Sequence, residues 1–293
     1  MKKILLFAKN GQLGWELQRA LAPLGEVIAL DYPEVDFTKP ADLSAMVKEV
    51  SPDFLINPAA YTAVDKAETD RKTAFLVNRD AVKALAESAA ELNIPFIHYS
   101  TDYVYDGTKG SPYIETDATN PLNVYGQSKL EGDLAVLEAG GVGMVLRTSW
   151  VYSMRQGGFV TKVLQWAREQ ETLRVVDDQI SSPTSARMLA EVTALLLAKI
   201  SEHSFEWLQD RTGIYHCAGS GACSRYEWAQ KIIELDPHKE EQKVQRLERA
   251  KSSEFPMPAD RPMISVLNSD KLSEVFGLRQ PNWEIALRLM LAG

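Results

Sequence analysis

The first fourteen residues constrain the fold of this chain more than any other stretch. A short apolar run, Ile4–Phe7, is followed at once by the turn AKNGQLG at residues 8–14. A strand that is apolar throughout is typical of a strand buried on both faces. Leucines recur every fourth residue at Leu13, Leu17 and Leu21, which predicts a helix over residues 14–21. This order of strand, glycine turn and helix is typical of doubly wound sheets.

The same alternation of apolar runs and amphipathic segments continues to about residue 150. Further buried strands are predicted at Val27–Leu30, Phe54–Ile56, Pro95–Tyr99 and Met144–Leu146. Helices are predicted at Pro40–Val50, Thr73–Leu92 and Tyr125–Glu138. Strands that alternate with helices imply βαβ crossovers and a parallel sheet. The sequence therefore predicts an α/β fold, with a doubly wound, Rossmann-type parallel sheet over residues 1–150.

The pattern changes after residue 150. Gln179–Ser185 and Glu254–Pro262 are rich in proline, serine and short polar stretches. Helical periodicity returns in three segments, Phe159–Glu169, Ala186–Ile200 and Arg225–Leu235. We therefore expect residues 151–293 to form a smaller C-terminal α/β substrate domain that is interleaved with the first domain.

Composition narrows the class of protein. Apolar residues make up 45% of the 293 residues and charged residues 25%, the usual balance of a globular protein. A net charge of −8 disfavours nucleic acid as a partner. No apolar run reaches the length of about 18 residues that a membrane helix needs. The two cysteines, Cys217 and Cys223, form no metal-binding or disulfide pattern, which favours a cytoplasmic location.

The glycine turn predicts a dinucleotide site. Gly11 and Gly14 would let the backbone approach a pyrophosphate at the amino end of a helix, although glycines in such a turn can serve the turn alone. Asp31 ends the second strand about 20 residues beyond Gly11, where an acid accepts hydrogen bonds from the adenosine ribose. Asp31 favours NADH, whereas Lys9 within the turn could pair with the 2′-phosphate of NADPH, so both cofactors remain open.

Tyr125 and Lys129 are predicted to form a proton-transfer pair. Residues four apart lie on the same face of a helix, and an adjacent ammonium lowers the pKa of a tyrosine. The spacing by itself is common in exposed helices, so its context decides. Thr101 follows the fourth strand, at the edge where doubly wound sheets hold ligands, and its hydroxyl could donate a hydrogen bond to a substrate carbonyl.

The chain is similar to the dTDP-4-dehydrorhamnose reductase family, in the extended branch of the short-chain dehydrogenase/reductase superfamily. The similarity covers nearly the whole chain. It is carried by GQLGWEL at 11–17, DFT at 36–38, NPAAYTAVDKAE at 57–68, STDYV at 100–104, RTSWVY at 147–152 and RP at 261–262. Ala8 replaces the usual glycine and Pro58 interrupts the usual Asn-Ala-Ala run, departures that should affect cofactor affinity more than the type of reaction.

This resemblance implies reduction of the C4 ketone of dTDP-4-dehydro-β-L-rhamnose to dTDP-L-rhamnose, with NADPH or NADH as cofactor. Tyr125 would donate the proton, Lys129 would tune Tyr125 and contact the ribose, and Thr101 would polarise the ketone. The residues expected to line the cofactor are Gly11, Gln12, Leu13, Asp31, Asp36, Phe37, Ala60, Tyr61, Thr62, Tyr99, Tyr125 and Lys129. The residues expected to touch the sugar nucleotide are Thr101, Asp102 and Trp150.

The resemblance also bears on assembly. Some members of the family hold Mg²⁺ between acidic residues at a homodimer interface, and Glu16 and Glu191 stand at matching positions. We therefore expect a homodimer, with Mg²⁺ as a candidate ion. The competing interpretation is that both glutamates are solvated, and Glu16 would then complement the dipole of its helix.

Two other functions are compatible with this framework. A nucleotide-sugar epimerase shares the tyrosine–lysine pair but retains its cofactor through turnover. A dehydratase is disfavoured, because Tyr103 follows Thr101-Asp102 where a dehydratase normally has an Asp-Glu pair. Relatives of the family also serve as regulatory subunits of a methionine adenosyltransferase, but such a copy need not retain Thr101, Tyr125 and Lys129 together.

Overall fold

The computed structural model describes residues 1–155 and 157–292. The strands, in chain order, are β1 (Lys3–Phe7), β2 (Glu26–Leu30), β3 (Phe54–Asn57), β4 (Phe96–Thr101), β5 (Gly143–Thr148), β6 (Val151–Tyr152), β7 (Thr172–Val176), β8 (Ile180–Ser181), β9 (Thr184–Ser185), β10 (Gly213–His216), β11 (Cys223–Ser224) and β12 (Arg246–Ala250). The helices are α1 (Gln12–Leu21), α2 (Pro40–Val50), α3 (Val64–Ala67), α4 (Arg71–Phe75), α5 (Ala81–Leu92), α6 (Val124–Glu138), α7 (Phe159–Glu169), α8 (Ala186–Ser201), α9 (Phe205–Gln209), α10 (Arg225–Leu235), α11 (Asp270–Phe276) and α12 (Trp283–Leu291).

The main sheet has six parallel strands in the order β10-β5-β4-β3-β1-β2. One face packs against α1, α8 and α11, and the other packs against α2, α5 and α6. Because both faces are covered, its central strands are apolar along most of their length. The predicted doubly wound parallel sheet is confirmed.

The strands of the sheet extend further than their apolar runs. β4 continues to Thr101 and β5 to Thr148, each two residues beyond the predicted end, and Thr101 pairs in register with Thr148. The apolar pattern stops at the first polar residue, whereas the backbone ladder continues to the carboxyl edge. Thr101 is therefore the last residue of a buried strand, which fixes the direction of its side chain.

The long helix predicted at residues 73–92 differs in two respects. It begins at Arg71, and a π-helical turn at Leu76–Asp80 separates α4 from α5. Gly132 of α6 lies against this turn, where an added Cβ would stand 2.1 Å from the backbone oxygen of Asn78. The close approach of α6 explains why a glycine is needed at position 132.

The C-terminal half has its own core and also returns to the main sheet. α7, α10 and α12 pack together with β7 around the buried side chain of Trp228. β10, which the sequence did not predict, pairs with β5 at the edge of the main sheet, and α8 packs against α1. The division into residues 1–150 and 151–293 stays a prediction.

Within the described residues, no helix combines the length and the apolar composition that crossing a bilayer requires.

Candidate active site

A cleft of about 490 Å³ lies at the carboxyl edge of the main sheet. Many of the residues proposed from sequence line it, namely Gly11, Gln12, Leu13, Ala60, Thr62, Tyr99, Thr101, Asp102, Tyr125, Lys129 and Trp150. Other proposed residues are absent from its lining, namely Glu16, Asp31, Asp36, Phe37, Tyr61 and Glu191. The catalytic candidates and the glycine turn therefore share one cleft.

The glycine turn presents backbone donors to this cleft. Gly11 precedes α1 and has no side chain to cap it, so the first N–H groups of the helix remain free to bind an anion. Ala8 adopts a φ of +52°, in the left-handed region that favours glycine. An added Cβ at Gly14 would stand 1.9 Å from the backbone oxygen of Ala8, so position 14 requires glycine.

The carboxylate of Asp31 lies against the turn. It accepts hydrogen bonds from the backbone N–H of Asn10 at 2.9 Å and of Tyr32 at 2.8 Å. The ammonium of Lys9 is paired with Glu34, at 2.6 Å between Nζ and Oε1. Sequence reasoning did not single out Glu34, because an acid in a polar turn has no distinguishing signal.

Asp36 and Phe37 lie beyond the end of β2. The Asp36 carboxylate accepts hydrogen bonds from the backbone and hydroxyl of Thr38, which lower its pKa. The ring of Phe37 packs edge-on against Phe7, with the ring centroids 5.4 Å apart. These contacts stabilise the turn, and the cofactor roles of both residues stay predictions.

Lys129 is buried beneath the cleft. Its Nζ donates a hydrogen bond to the carbonyl oxygen of Tyr99 at 2.7 Å and lies 3.0 Å from Nε2 of His98. Burial lowers the pKa of Lys129 to about 8, against the opposing effect of the carboxylate of Asp133 one turn further along α6. Asp133 in turn accepts a hydrogen bond from Nε of buried Arg147 at 2.9 Å.

Tyr125 is half-buried at the mouth of the cleft. Its ring packs edge-on against Tyr103, with the centroids 5.7 Å apart. Burial raises the pKa of the Tyr125 phenol, and only the neighbouring Thr101 hydroxyl opposes this rise. The predicted lowering of this pKa by Lys129 is wrong for the protein alone, since the ammonium is directed to Tyr99 and His98. Tyr125 is therefore a neutral phenol near pH 7, the form that can donate a proton.

Thr101 and Asp102 join the two halves of the chain. The Thr101 hydroxyl donates to Oδ1 of Asp102 at 3.2 Å, and Oδ2 accepts hydrogen bonds from the hydroxyls of Ser181 and Ser265. Burial raises the pKa of Asp102 to about 6. Single serines carry no recognisable motif, so sequence reasoning missed Ser181 and Ser265. A contact between Asp102 and substrate stays a prediction.

Asn78 holds the loop that contains Ala60, Tyr61 and Thr62. Its side chain accepts a hydrogen bond from the Tyr61 N–H at 2.8 Å and donates to the Tyr61 carbonyl at 3.2 Å. The same amide donates to the hydroxyl of Ser128, which lies between the catalytic candidates on α6. Helical periodicity gives no sign of the π turn that brings Asn78 into this position.

Trp150, at the other side of the cleft, stacks with two further side chains. Trp150 has a φ of +42°, and its ring is nearly parallel to that of Trp228, at an angle of 12°. The guanidinium of Arg225 lies 3.7 Å from the centroid of the Trp150 ring. Backbone strain of this kind persists where the surrounding contacts fix it, and it is common at ligand sites.

A second cavity, of about 410 Å³, adjoins this stack. Its lining is aromatic and basic and includes Phe159, Trp166, Arg174, Arg225, Phe255 and Arg261. Arg261 is held by Asp65, at 2.7 Å between Nη2 and Oδ2. No acidic side chain among the described residues forms an ion pair with Arg225. Burial lowers the pKa of this guanidinium.

Glu16 and Glu191 lie on α1 and α8, which pack against each other. Glu191 accepts a hydrogen bond from Nε of Arg187 at 3.2 Å. Among the residues that the structure describes, the one clustered set of three metal-ligating side chains is His238, Glu240 and Glu241, which does not include either glutamate.

The chain is similar to known proteins over nearly its full length. The family model described as RmlD substrate binding domain matches residues 1–293. A Burkholderia thailandensis protein named dTDP-4-dehydrorhamnose reductase is 43% identical over 290 residues, covering 98% of this chain and 97% of its own. A crystal structure of a dTDP-4-dehydrorhamnose reductase from Clostridium acetobutylicum has a TM-score of 0.89 at 34% identity, covering 99% of this chain and 98% of its own. A Bacillus anthracis enzyme of the same name, in complex with NADP, has a TM-score of 0.88 at 30% identity, covering 99% of each chain.

Proposed function

The chain belongs to the dTDP-4-dehydrorhamnose reductase family, and on that premise we propose how its residues carry out the reaction. The protein is an oxidoreductase that uses NAD(P)H to reduce the C4 ketone of dTDP-4-dehydro-β-L-rhamnose to dTDP-L-rhamnose. The observation that best supports the assignment of residues is the shared cleft, which brings the free N–H groups of α1 together with Thr101, Tyr125 and Lys129.

The reduced nicotinamide supplies the hydride that adds to C4. As the C4–O4 double bond becomes a single bond, negative charge develops on O4 and must be neutralised. The neutral phenol of Tyr125 donates its proton to O4 and is left as a phenolate. Lys129 stabilises that phenolate once its ammonium turns from Tyr99 and His98 toward the cleft. The Thr101 hydroxyl, at the end of β4, orients the ketone and contacts Tyr125.

The cofactor lies across the glycine turn in this proposal. Its pyrophosphate accepts hydrogen bonds from the first N–H groups of α1. The carboxylate of Asp31, at the end of β2, accepts hydrogen bonds from the hydroxyls of the adenosine ribose. The loop at Ala60–Thr62, which Asn78 holds against α6, forms the side of the cleft that faces the nicotinamide.

The sugar nucleotide occupies the other side. Trp150 packs against the sugar, and Arg225 and Arg261 neutralise the diphosphate, because two guanidinium groups suit a dianionic bridge. The rings of Phe159 and Phe255 in the second cavity give the thymine base an aromatic surface. Arg225, which lacks an acidic partner among the described residues, is the stronger candidate for the phosphate contact.

One assay tests the function. The protein is incubated with dTDP-4-dehydrorhamnose and either NADH or NADPH, and the absorbance of the reduced nicotinamide is followed together with the sugar product. We expect one reduced cofactor to be consumed for each dTDP-L-rhamnose formed. Turnover of the sugar without net loss of cofactor would indicate an epimerase, and no turnover would favour a regulatory role. A reaction without the sugar nucleotide controls for direct oxidation by oxygen.

We also propose a homodimer in which Mg²⁺ binds between Glu16 and Glu191 of the two copies. Mg²⁺ requires about six oxygen ligands, so two carboxylates need waters or a second chain to complete the site. Arg187 competes for Glu191 in the single chain. EDTA and the Glu16→Gln variant should each shift the mass in light scattering from dimer to monomer. An unchanged mass under both treatments would rule out the proposed Mg²⁺ site.

The cytoplasmic location stays a prediction, compatible with two buried free thiols.

A further inference from the structure

A small charged cluster links the glycine turn to the segment after β2. Oε1 of Glu34 lies 2.6 Å from Nζ of Lys9, and Oε2 accepts a hydrogen bond from the backbone N–H of Asp31 at 3.2 Å. The carboxylate of Asp31 accepts a hydrogen bond from the N–H of Asn10 in the turn. Glu34 therefore contacts both segments that would enclose the adenosine ribose.

Lys9 is the only cationic residue in the turn at residues 8–14. NADPH differs from NADH by a phosphate on the 2′-oxygen of this ribose, which carries a charge of about −1.5 to −2 near pH 7. Such a group needs a cation, and Lys9 is already paired. It would also be repelled by two carboxylates, Asp31 and Glu34. The pairing with Lys9 lowers the pKa of Glu34, so its carboxylate is ionised under ordinary conditions.

We propose that Glu34 is a specificity-determining residue, which occupies Lys9 and thereby disfavours NADPH relative to NADH. The inference rests on the proposed function, because it places the adenosine ribose at the end of β2. The Glu34–Lys9 pair is partly exposed, with 27% of the Lys9 side chain and 47% of the Glu34 side chain accessible, so its contribution to folding stability is small. Removing it should therefore change the choice of cofactor without unfolding the protein.

The first test is the Glu34→Gln variant, which keeps the size of the side chain and removes its charge. We expect the ratio of kcat/KM for NADPH to that for NADH to rise about tenfold, equivalent to about 1.4 kcal/mol. Glu26→Gln is the matched control, since Glu26 is exposed at the opposite end of β2. It should leave the ratio unchanged. An unchanged ratio in Glu34→Gln would overturn the proposal.

The second test asks whether Glu34 acts through Lys9. In a double-mutant cycle, Glu34→Gln is repeated in a Lys9→Gln background. We expect most of the gain for NADPH to disappear, because no cation is left for the 2′-phosphate to bind. A gain of the same size in both backgrounds would contradict the proposal and indicate a general effect of charge.

Direct binding separates this inference from the reaction. Dissociation constants for NADPH and NADH are measured by calorimetry without any sugar nucleotide, in all four members of the cycle. A shift toward NADPH in Glu34→Gln that depends on Lys9 supports the inference even if dTDP-4-dehydrorhamnose is not reduced. Equal constants in every variant would overturn it even if the reductase activity is present.

Discussion

The two sides of the candidate active-site cleft are formed by different kinds of contact. The side that holds the glycine turn, Thr101 and Lys129 is built from strand ends and helix starts that the βαβ order brings together. The side that holds Trp150 depends on side-chain contacts between distant segments, such as the stack of Arg225 on Trp150. In the proposed mechanism, the chemical step would therefore rely on the sheet, whereas substrate recognition would rely on packing between the two halves of the chain.

The largest effect should come from removing the proposed proton donor, Tyr125, on the side of the cleft that the strand ends form. We expect Tyr125→Phe to bind cofactor normally and to lose at least about 100-fold in kcat, the usual contribution of general acid catalysis. Tyr215→Phe is the control, because it removes the hydroxyl of another tyrosine, which donates a hydrogen bond to the backbone carbonyl oxygen of Arg211. If Tyr125→Phe turned over at the rate of the control, Tyr125 would not be the proton donor.

On the packing-dependent side, Arg225→Gln should act on substrate binding. A hydrogen bond from a charged group contributes about 1.5–3 kcal/mol, so KM for the sugar nucleotide should rise roughly 10- to 100-fold. The dissociation constant of the cofactor should stay unchanged. Arg246→Gln, in the exposed first position of β12, is a control for loss of positive charge. A rise in cofactor KM instead would show that the two sides are not separate.

The pH dependence of the reaction tests the proposed role of Lys129. With its pKa lowered to about 8, Lys129 is an ammonium below that pH and loses its charge above it. The kcat/KM for the reduced cofactor, which reports on the free enzyme, should therefore decline about tenfold per pH unit on the alkaline side of 8. A decline only near 10.5, the ordinary pKa of lysine, would mean that burial does not perturb this group.

The smallest effect is expected at the turn itself. Ala8 adopts a φ of +52°, and a left-handed residue other than glycine costs roughly 1 kcal/mol. Ala8→Gly should therefore raise the free energy of unfolding, measured in urea, by about 0.5 kcal/mol at most, because the greater entropy of glycine in the unfolded chain offsets part of the relieved strain. Ala194→Gly, in the interior of α8, should lower it by about 1 kcal/mol. A loss of stability in Ala8→Gly would show that the turn is not strained.

The local sequence pattern was sufficient to predict the bounds of several helices. The helices Pro40–Val50, Phe159–Glu169 and Arg225–Leu235 match the sequence-based prediction at both ends. Each has apolar residues on one face, and Pro40 and Ser224 mark where two of them begin. The glycine turn was predicted in the same way, because the steric contacts that require its glycines involve backbone atoms only a few residues away.

Contacts between residues far apart in the chain could not be predicted from local patterns. β10 forms because it pairs with the edge strand β5, and no pattern within Gly213–His216 indicates this pairing. Asp102 also pairs with Ser181 and Ser265, which lie 79 and 163 residues further along the chain. The pKa of Tyr125 depends on desolvation by the folded protein rather than on its spacing to Lys129.

The sequence by itself therefore determined the doubly wound sheet, the glycine turn and the identity of the catalytic candidates, since each depends on periodicity or steric rules over a few residues. Only the tertiary structure decided which groups meet: Glu34 with Lys9, Asn78 with the Tyr61 backbone, and Arg225 with Trp150. Burial and charge pairing depend on what the rest of the chain places around a residue. For that reason the direction of each pKa shift, and the surface that would meet the sugar nucleotide, became visible only in the folded molecule.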